Sequence, residues 1–133
     1  MLFRSGGWNN STIGLGSTVF GGSSNESIGT MAAIFGGEEN EASGEMSVVI
    51  GGQGNAIGSN GLWGIICGGA SNVLGGDGWF SSIHGGNGNT VGGDYSSVFG
   101  GQMNIISGEN STVTGGSGNL AAGHESKIGR AHV

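Results

Sequence analysis

A doublet of glycines recurs through this 133-residue chain at almost constant spacing. Successive doublets lie 15, 15, 15, 17, 17, 15 and 15 residues apart, and they begin at Gly6, Gly21, Gly36, Gly51, Gly68, Gly85, Gly100 and Gly115. An asparagine follows each doublet at a fixed offset, which gives the column Asn10, Asn25, Asn40, Asn55, Asn72, Asn89, Asn104 and Asn119. A unit this short cannot enclose a core by itself, so it has to stack on copies of itself. The repeat therefore predicts a solenoid domain over residues 6–129, with a lead-in at 1–5 and a tail at 130–133.

The glycine content has to be weighed against the apolar pattern. A chain with 34 glycines and no proline would by composition alone suggest flexible, low-complexity sequence. However, 35% of the residues are hydrophobic, and they return in register with the glycines. Disordered glycine-rich chains lack such residues. We therefore expect one folded domain.

Two columns of side chains define a strand when the units are aligned on the doublets. The residue two places before the doublet is β-branched and apolar, and the column reads Val19, Ile34, Val49, Ile66, Ile83, Val98 and Val113, with Ile128 at the C-terminal end. Two residues earlier the column is small, and it reads Ser17, Ala32, Ser47, Gly64, Ser81, Ser96, Ser111 and Ser126. A spacing of two puts both columns on one side of a β-strand, and we expect that side to face the interior.

A second short strand is expected after each asparagine. Six units carry an apolar residue two places beyond it: Ala42, Ile57, Leu74, Val91, Ile106 and Ala121. In the first two units the apolar residue is Ile13 or Ile28, one place later, which leaves the phase of these coils open. Glycine accepts positive φ and close backbone approach, so the doublets are expected at corners. The prediction is an all-β, parallel β-solenoid of about eight coils of 15–17 residues, each with two short strands and two tight turns.

The asparagine column predicts a structural ladder along the solenoid axis. Stacked side-chain amides can satisfy turn backbone groups of the coils above and below. Every coil carries one of these asparagines, whether or not anything binds there, so we prefer a structural role to a ligand-binding role for the column.

The residue immediately before each doublet faces away from the valine column. The outward column reads Phe20, Phe35, Ile50, Cys67, His84, Phe99, Thr114 and Gly129. A contiguous apolar stripe on the outside of a solenoid marks a partner surface, and the simplest partner of a linear repeat is another copy. We therefore expect Phe20, Phe35 and Phe99 to lie in an oligomer interface. The alternative is that coil curvature buries this column in a broader monomer core.

The two 17-residue units are the least regular part of the chain. Their extra length is predicted at the corner between strands, with the large apolar pairs Leu62-Trp63 and Trp79-Phe80. The position five before the doublet forms a ridge of five large side chains: Met31, Met46, Trp63, Phe80 and Tyr95. Aromatic residues and methionine are typical anchors of protein interfaces. Contact with a partner, contact within the oligomer and stacking on a glycan all remain open. Trp8 is expected to cap the open end of the solenoid.

The recurring string Gly-Gly-x-x-Asn-x-apolar-x-Gly-x-x-Ser-x-Val-x-Gly-Gly is clearest from Gly85 through Gly116. It resembles the head repeats of YadA-type trimeric adhesins and the related Gly-Gly-x-x-Asn repeats of bacteriophage virion proteins. The resemblance covers residues 6–129 and implies a left-handed parallel β-roll that assembles as a homotrimer. The sequence shows no export signal, coiled-coil stalk or membrane anchor of the adhesin kind. That difference favours a virion protein made in the host cytoplasm over a cell-surface protein.

Several ligand classes are disfavoured by composition. Three basic residues, Arg4, Lys127 and Arg130, stand against nine acidic ones, so nucleic acid is not an expected partner. No apolar run approaches the roughly 20 residues that cross a bilayer, so no membrane partner is expected. The single cysteine, Cys67, is expected to be a small buried apolar residue.

No catalytic, cofactor or metal site is expected. A cluster of acidic residues in one coil, made of Glu38, Glu39, Glu41 and Glu45, occupies turn positions, where solvated carboxylates are the usual case. The histidines, His84, His124 and His132, do not have zinc-site spacing. We expect a non-enzymatic protein; a solenoid hydrolase that depends on Glu38 or Glu39 is the third class considered.

The repeat and the resemblance together predict a bacteriophage structural protein. The preferred function is that of a trimeric capsid cement or decoration protein on the virion, bound to the major capsid protein or another virion protein. Eight coils without a long shaft suit a plug between capsid subunits better than a fibre. The alternative is a receptor- or glycan-binding module, either an adhesin head on the cell surface or a tail-fibre segment.

Overall fold

The computed structural model describes residues 3, 4 and 6–129, and within them the chain is all β. Two-residue strands form two parallel sheets. The nine-stranded sheet contains β1 (Phe3–Arg4), β3 (Thr18–Val19), β5 (Ala33–Ile34), β7 (Val48–Val49), β9 (Ile65–Ile66), β11 (Ser82–Ile83), β13 (Ser97–Val98), β15 (Thr112–Val113) and β17 (Lys127–Ile128). The eight-stranded sheet contains β2 (Ser11–Thr12), β4 (Glu26–Ser27), β6 (Glu41–Ala42), β8 (Ala56–Ile57), β10 (Val73–Leu74), β12 (Thr90–Val91), β14 (Ile105–Ile106) and β16 (Leu120–Ala121). Each coil gives one strand to each sheet, so the predicted β-solenoid of about eight coils is confirmed.

A third row of parallel pairing runs beside the two sheets. It consists of single-residue bridges that join Trp8, Ser23, Glu38, Gln53, Ala70, Asn87, Gln102 and Ser117 in succession. Each coil therefore has three hydrogen-bonded sides, and the expectation of two strands and two turns was incomplete. A one-residue side shows no alternation of apolar and polar residues, so the sequence pattern carries no signal for it.

The core consists of one apolar column from each sheet. Val19 pairs with Ile34 and Ile34 with Val49 across the nine-stranded sheet, while Ile57 pairs with Leu74 across the eight-stranded sheet. The fully buried apolar residues are Val19, Ala32, Ile34, Ala42, Val49, Ile57, Ile66, Leu74, Ile83, Val91, Val98, Ile106, Val113 and Ala121. Both interior columns read from the sequence are thus confirmed.

The phase of the first two coils is regular, although the apolar pattern left it open. Thr12 pairs with Ser27 and Ser27 with Ala42, so both polar residues occupy the interior position of the second sheet. Ile13 is 57% exposed. The buried Ser27 hydroxyl donates to the backbone oxygen of Ala32 at 3.0 Å. The backbone ladder sets the phase here, and a satisfied hydroxyl takes the place of an apolar side chain.

The two longer coils keep their aromatic residues at regular positions. The Trp63 N–H donates to Glu45 O at 3.0 Å and the Tyr95 N–H to Trp79 O at 2.8 Å, as the Met46 N–H donates to Thr30 O in a 15-residue coil. The extra residues therefore fall earlier, at 59–60 and 76–77, between the second-sheet strand and the corner glycine. The prediction that Leu62-Trp63 and Trp79-Phe80 are themselves the insertions was wrong.

The solenoid ladder begins before the first glycine doublet. β1 lies within the segment expected to be a lead-in, and it pairs in parallel with β3, with Arg4 opposite Val19. The expected tail at 130–133 lies outside the described residues. Trp8, the expected cap, is 74% exposed and lies in the row of single bridges, so its side chain shields little of the structure.

The asparagine column forms a continuous hydrogen-bonded ladder. In a typical rung, Asn40 Nδ2 donates to Gly36 O at 3.1 Å in its own coil and to Gly52 O at 3.0 Å in the next. Its Oδ1 accepts from the Asn55 backbone N–H at 3.0 Å. One buried amide therefore joins the backbones of two successive coils, which leaves few unsatisfied polar groups at the turn.

In the seven doublets from Gly6 to Gly101, the second glycine is required by close approach of the next coil. A Cβ added at Gly52 would lie 2.2 Å from Gly69 O and 2.6 Å from Asn55 Nδ2, and φ at Gly52 is +90°. The first glycine, Gly51, has open space where its Cβ would lie. The two glycines of this doublet thus have different structural roles.

Candidate interaction surfaces

The outer side of the nine-stranded sheet exposes a row of large apolar side chains. We call it the apolar face, and it consists of two outward columns. One column is Phe20, Phe35, Ile50, Cys67, His84, Phe99 and Thr114, and the other is Thr18, Ala33, Val48, Ile65, Ser82, Ser97, Thr112 and Lys127. The three phenylalanines are 45–53% exposed, so coil curvature does not bury this column and the alternative of a broader monomer core is wrong. Cys67, expected to be buried, is half-buried.

Side chains of the apolar face stack along the axis. The Phe20 and Phe35 rings have centroids 4.8 Å apart and an interplanar angle of 10°. The His84 and Phe99 rings have centroids 4.6 Å apart. Ser82 Oγ lies 3.3 Å from His84 Nε2 and 3.0 Å from Ser97 Oγ. Three polar side chains in the middle of this face therefore bond to one another.

The apolar face carries no carboxylate. All nine acidic residues, Glu26, Glu38, Glu39, Glu41, Glu45, Asp77, Asp94, Glu109 and Glu125, lie on other parts of the coil. Lys127 is the one permanently charged residue of this face, and it lies in the last described strand, β17. A chain with a formal charge of −6 thus keeps its negative charge away from one side.

The corner ridge is a second exposed apolar surface. It is formed by Met31, Met46, Trp63, Phe80 and Tyr95, one residue from each of five consecutive coils, and these side chains are 37–59% exposed. The Trp63 and Phe80 rings stack with centroids 4.7 Å apart, and the Phe80 and Tyr95 rings stack at 5.4 Å, with interplanar angles of 8° and 7°. Trp63 Nε1 lies 3.0 Å from Met46 Sδ. The structure therefore brings the predicted ridge residues into one continuous column.

The residues beside the corner ridge include two other predicted interface residues and several carboxylates. Leu62 is half-buried and Trp79 is exposed, each directly preceding a ridge residue. The column that contains them also contains Glu45, Asp94 and Glu109. The Asp94 Oδ1 accepts from the Trp79 backbone N–H at 2.9 Å.

The acidic residues that cluster in one coil of the sequence lie at the surface. Glu38, Glu39, Glu41 and Glu45 are all exposed. Within residues 6–129, no three His, Cys, Asp or Glu side chains come together in a way that could hold a metal ion. The one ion pair between described side chains joins His124 Nδ1 and Glu109 Oε2 at 3.5 Å, and both are exposed. The described part of the chain also has no helix that could span a bilayer.

Two structural features of the coils were not predicted from the sequence. Every ridge residue has a positive φ, and methionine or aromatic residues in a sequence do not indicate that conformation. The serine column forms its own partial ladder, in which Ser96 Oγ donates to Gly108 O and accepts from the Ser111 N–H, both at 3.0 Å. A run of serines at one offset, Ser81, Ser96, Ser111 and Ser126, was the available signal for the second feature.

Neither a scan against models of protein families nor a search of curated proteins found a match to this chain. The class that the structure defines is a parallel β-solenoid of short coils stapled by an internal asparagine ladder.

Proposed function

We propose that this protein is a non-enzymatic structural component of a bacteriophage virion. In this proposal it assembles as a homotrimer and acts as a capsid cement or decoration protein, bound to the major capsid protein or another virion protein. The observation that carries the proposal is the apolar face, a carboxylate-free surface that runs the length of a rigid, linear solenoid.

Self-association through the apolar face is supported by three of its properties. It exposes Phe20, Phe35 and Phe99, whose burial would each contribute about 1–2 kcal/mol. It carries no carboxylate, so two copies can approach without desolvating negative charge. Each coil repeats the geometry of the one before, so copies packed side by side can meet rung by rung along a common axis. The number three comes from the resemblance to trimeric Gly-Gly-x-x-Asn repeats.

The virion assignment is supported by the kind of stability this fold provides. Each coil is tied to its neighbours by backbone hydrogen bonds on three sides and by a buried asparagine. Such a body resists local opening, which suits a protein that reinforces a shell. The resemblance to phage virion repeats supplies the location, with synthesis in the host cytoplasm.

Light scattering on the purified chain tests the assembly. The expected mass is three times the 13.0 kDa of one chain. Ile50→Glu puts a carboxylate in the middle of the apolar face and is expected to reduce the mass to that of a monomer. Ile105→Glu is the matched control, because Ile105 is similarly exposed but lies on the eight-stranded sheet. A monomeric wild-type chain at high concentration contradicts the proposal.

Electron cryo-microscopy of the phage particle tests the location. Density for a short three-part rod between neighbouring capsid subunits is the expected result. Detection of the protein only at the tail tip would contradict a cement role.

The exposed corner ridge favours one alternative, a receptor-binding module in an adhesin head or a tail fibre. Such a module would place the protein at the cell surface or on the tail. A glycan array with Trp63→Ala as the control distinguishes the two roles. A cement protein is expected to show no saturable sugar binding, whereas a glycan-binding module loses its signal in the variant.

A further inference from the structure

The corner ridge has a backbone conformation that its side chains disfavour. Met31, Met46, Trp63, Phe80 and Tyr95 all have φ between 52° and 56°, in the left-handed region. For a residue with a Cβ this conformation costs about 1 kcal/mol. Gly16 and Asn110 hold the same column in the coils on either side of the ridge, and these residue types adopt the conformation readily.

A second column of the same solenoid provides an internal comparison. The residue before each ladder asparagine also has a positive φ, and this column reads Asn9, Ser24, Glu39, Gly54, Ser71, Gly88, Met103 and Gly118. Four of these eight are Gly or Asn, which adopt this conformation most readily, and only Met103 is bulky and apolar. A left-handed corner therefore does not require bulky residues. The ridge has them although their side chains disfavour this backbone conformation.

The ridge side chains gain only part of the stabilisation that full burial would give. The ridge side chains remain 37–59% exposed, and none belongs to the core cluster. The two aromatic stacks return about 0.5–1.5 kcal/mol each, which roughly offsets the strain at Trp63, Phe80 and Tyr95 but not at Met31. Strained residues with exposed apolar side chains are typical of binding surfaces.

The stacking geometry decides which ligands fit. Phe80 is covered by Trp63 on one ring face and by Tyr95 on the other, at centroid distances of 4.7 and 5.4 Å. Trp63 meets Met46 through its Nε1. A sugar ring packs on the open face of an aromatic ring, and no gap between these rings admits one. Apart from the Tyr95 face that is turned away from Phe80, the ridge therefore presents ring edges and methionine side chains, which suit the apolar side chains of a protein.

The charges around the ridge decide which protein fits. Glu45 and Asp94 lie in the neighbouring column, level with Met46 and Tyr95, and Glu109 lies one coil further on. The three basic residues of the chain, Arg4, Lys127 and Arg130, lie near its ends. A second copy of this chain therefore has no cation to set against carboxylates beside the middle coils, whereas a partner with lysine or arginine around an apolar centre matches them.

We propose that the corner ridge is a docking surface for a different protein, one that presents apolar side chains rimmed by lysine or arginine. The apolar face then holds copies of this chain together, and the ridge faces outward to the heterologous partner. This inference deepens the proposed function by giving the chemistry of the partner, and it depends on that function only for the partner's place in a virion.

Selection from a displayed library of random 12-residue peptides tests the ridge without knowledge of the partner. The bait is the full chain, and the double variant Trp63→Asn, Phe80→Asn is the comparison, because asparagine tolerates the left-handed corner. Trp8→Asn removes an exposed aromatic residue away from the ridge and serves as the matched control. Enriched peptides are expected to combine lysine or arginine with aromatic or aliphatic residues. They should bind the double variant at least about tenfold more weakly and Trp8→Asn unchanged.

A separate variant tests whether the carboxylates beside the ridge attract basic residues of the partner. Glu45→Gln is expected to weaken the selected peptides about threefold and to reduce the salt dependence of their binding. Peptides without basic residues, or no enrichment that depends on the ridge, would overturn the proposal. A double variant that unfolds would show that the ridge is a structural element and would also overturn it.

Light scattering on the same proteins separates this inference from the proposed function. If the double variant loses mass relative to the wild type, the ridge is a contact between copies and the docking proposal is wrong. If the wild-type chain is monomeric but selects basic, apolar peptides through the ridge, the proposed trimer fails and the docking surface stands. If the wild-type chain is a trimer but its ridge selects no peptide, the proposed trimer stands and the docking surface fails.

Discussion

The side-chain oxygen of Asn40 accepts hydrogen bonds from both the backbone N–H and the side-chain amide of Asn55, at 3.0 and 3.2 Å. The two residues belong to adjacent coils and are both buried. The same relationship recurs from Asn25 to Asn40 and from Asn55 to Asn72. A polar column thus runs through the interior of the protein, and each member depends on the coil before and the coil after it.

Removal of one amide from the ladder should destabilise the whole domain. Asn55→Ala leaves Gly51 O and Gly69 O without the Nδ2 donor that lies at 3.1 and 3.0 Å, and the Asn72 N–H without its acceptor. Gly69 O keeps the Gln53 N–H as a donor at 3.0 Å. Loss of a partner costs a buried group about 1–3 kcal/mol, so we expect the free energy of unfolding to fall by about 2–4 kcal/mol. Urea denaturation measures this loss. Asn60→Ala, at an exposed position of the same coil, is expected to change it by less than about 0.5 kcal/mol; equal effects would contradict a structural ladder.

The two glycines of a doublet should respond differently to the same substitution. Gly52→Ala forces a methyl group to within 2.2 Å of Gly69 O at a φ of +90°, and we expect a loss of about 3 kcal/mol or more, or failure to fold. Gly51→Ala puts its methyl group into open space and is expected to be nearly neutral. Circular dichroism during thermal unfolding compares the two variants. A large loss from Gly51→Ala would show that the first position also needs glycine.

The serine column should contain both dispensable and required hydroxyls. Ser17 Oγ is buried and has no hydrogen-bond partner among the described residues. Ser96 Oγ accepts from the Ser111 N–H and donates to Gly108 O. Ser17→Ala is therefore expected to leave stability unchanged or raise it by about 1 kcal/mol, and Ser96→Ala to lower it by about 1–3 kcal/mol. Denaturant midpoints of the two variants provide the comparison, and the reverse order would refute this assignment.

Relief of the left-handed strain should stabilise the corner ridge. Met31 has a φ of 56°, and no aromatic residue stacks on it among the described residues. Met31→Asn is expected to raise the free energy of unfolding by about 0.5–1 kcal/mol, because asparagine tolerates this conformation better than methionine. Leu15→Asn is the matched control, since Leu15 is exposed in the neighbouring column and does not have a positive φ. A gain in both variants would show that the cause is the replacement of an exposed apolar side chain by a polar one, and not the relief of strain.

The apolar core could be predicted residue by residue because strand alternation is local. Val19, Ile34 and Val49 were assigned to the interior from a spacing of two residues, and each is fully buried. The outward position of Phe20 and Phe35 followed from the same alternation. Alternation left the first two coils open, because Ile13 is apolar but the backbone ladder holds the polar Thr12 and Ser27 at the interior position.

The candidate surfaces could be predicted only in part. The membership of the corner ridge was read from a fixed offset before the doublet. Its ring stacking and its positive φ values could not be read, because both depend on how one coil lies over the next. The true position of the extra residues, at 59–60 and 76–77, likewise required the hydrogen bonds between coils.

The sequence by itself determined the number of coils, the identity of the core columns and the place of the asparagines, because a repeat of fixed period makes each of these a matter of counting along the chain. Only the tertiary structure decided the third hydrogen-bonded side, the different roles of Gly51 and Gly52, and the stack of Trp63, Phe80 and Tyr95. These features arise between coils, from atoms about 15 residues apart in sequence but one strand spacing, about 4.8 Å, apart in space. Contacts of that kind depend on the vertical alignment of neighbouring coils, and no single coil contains them.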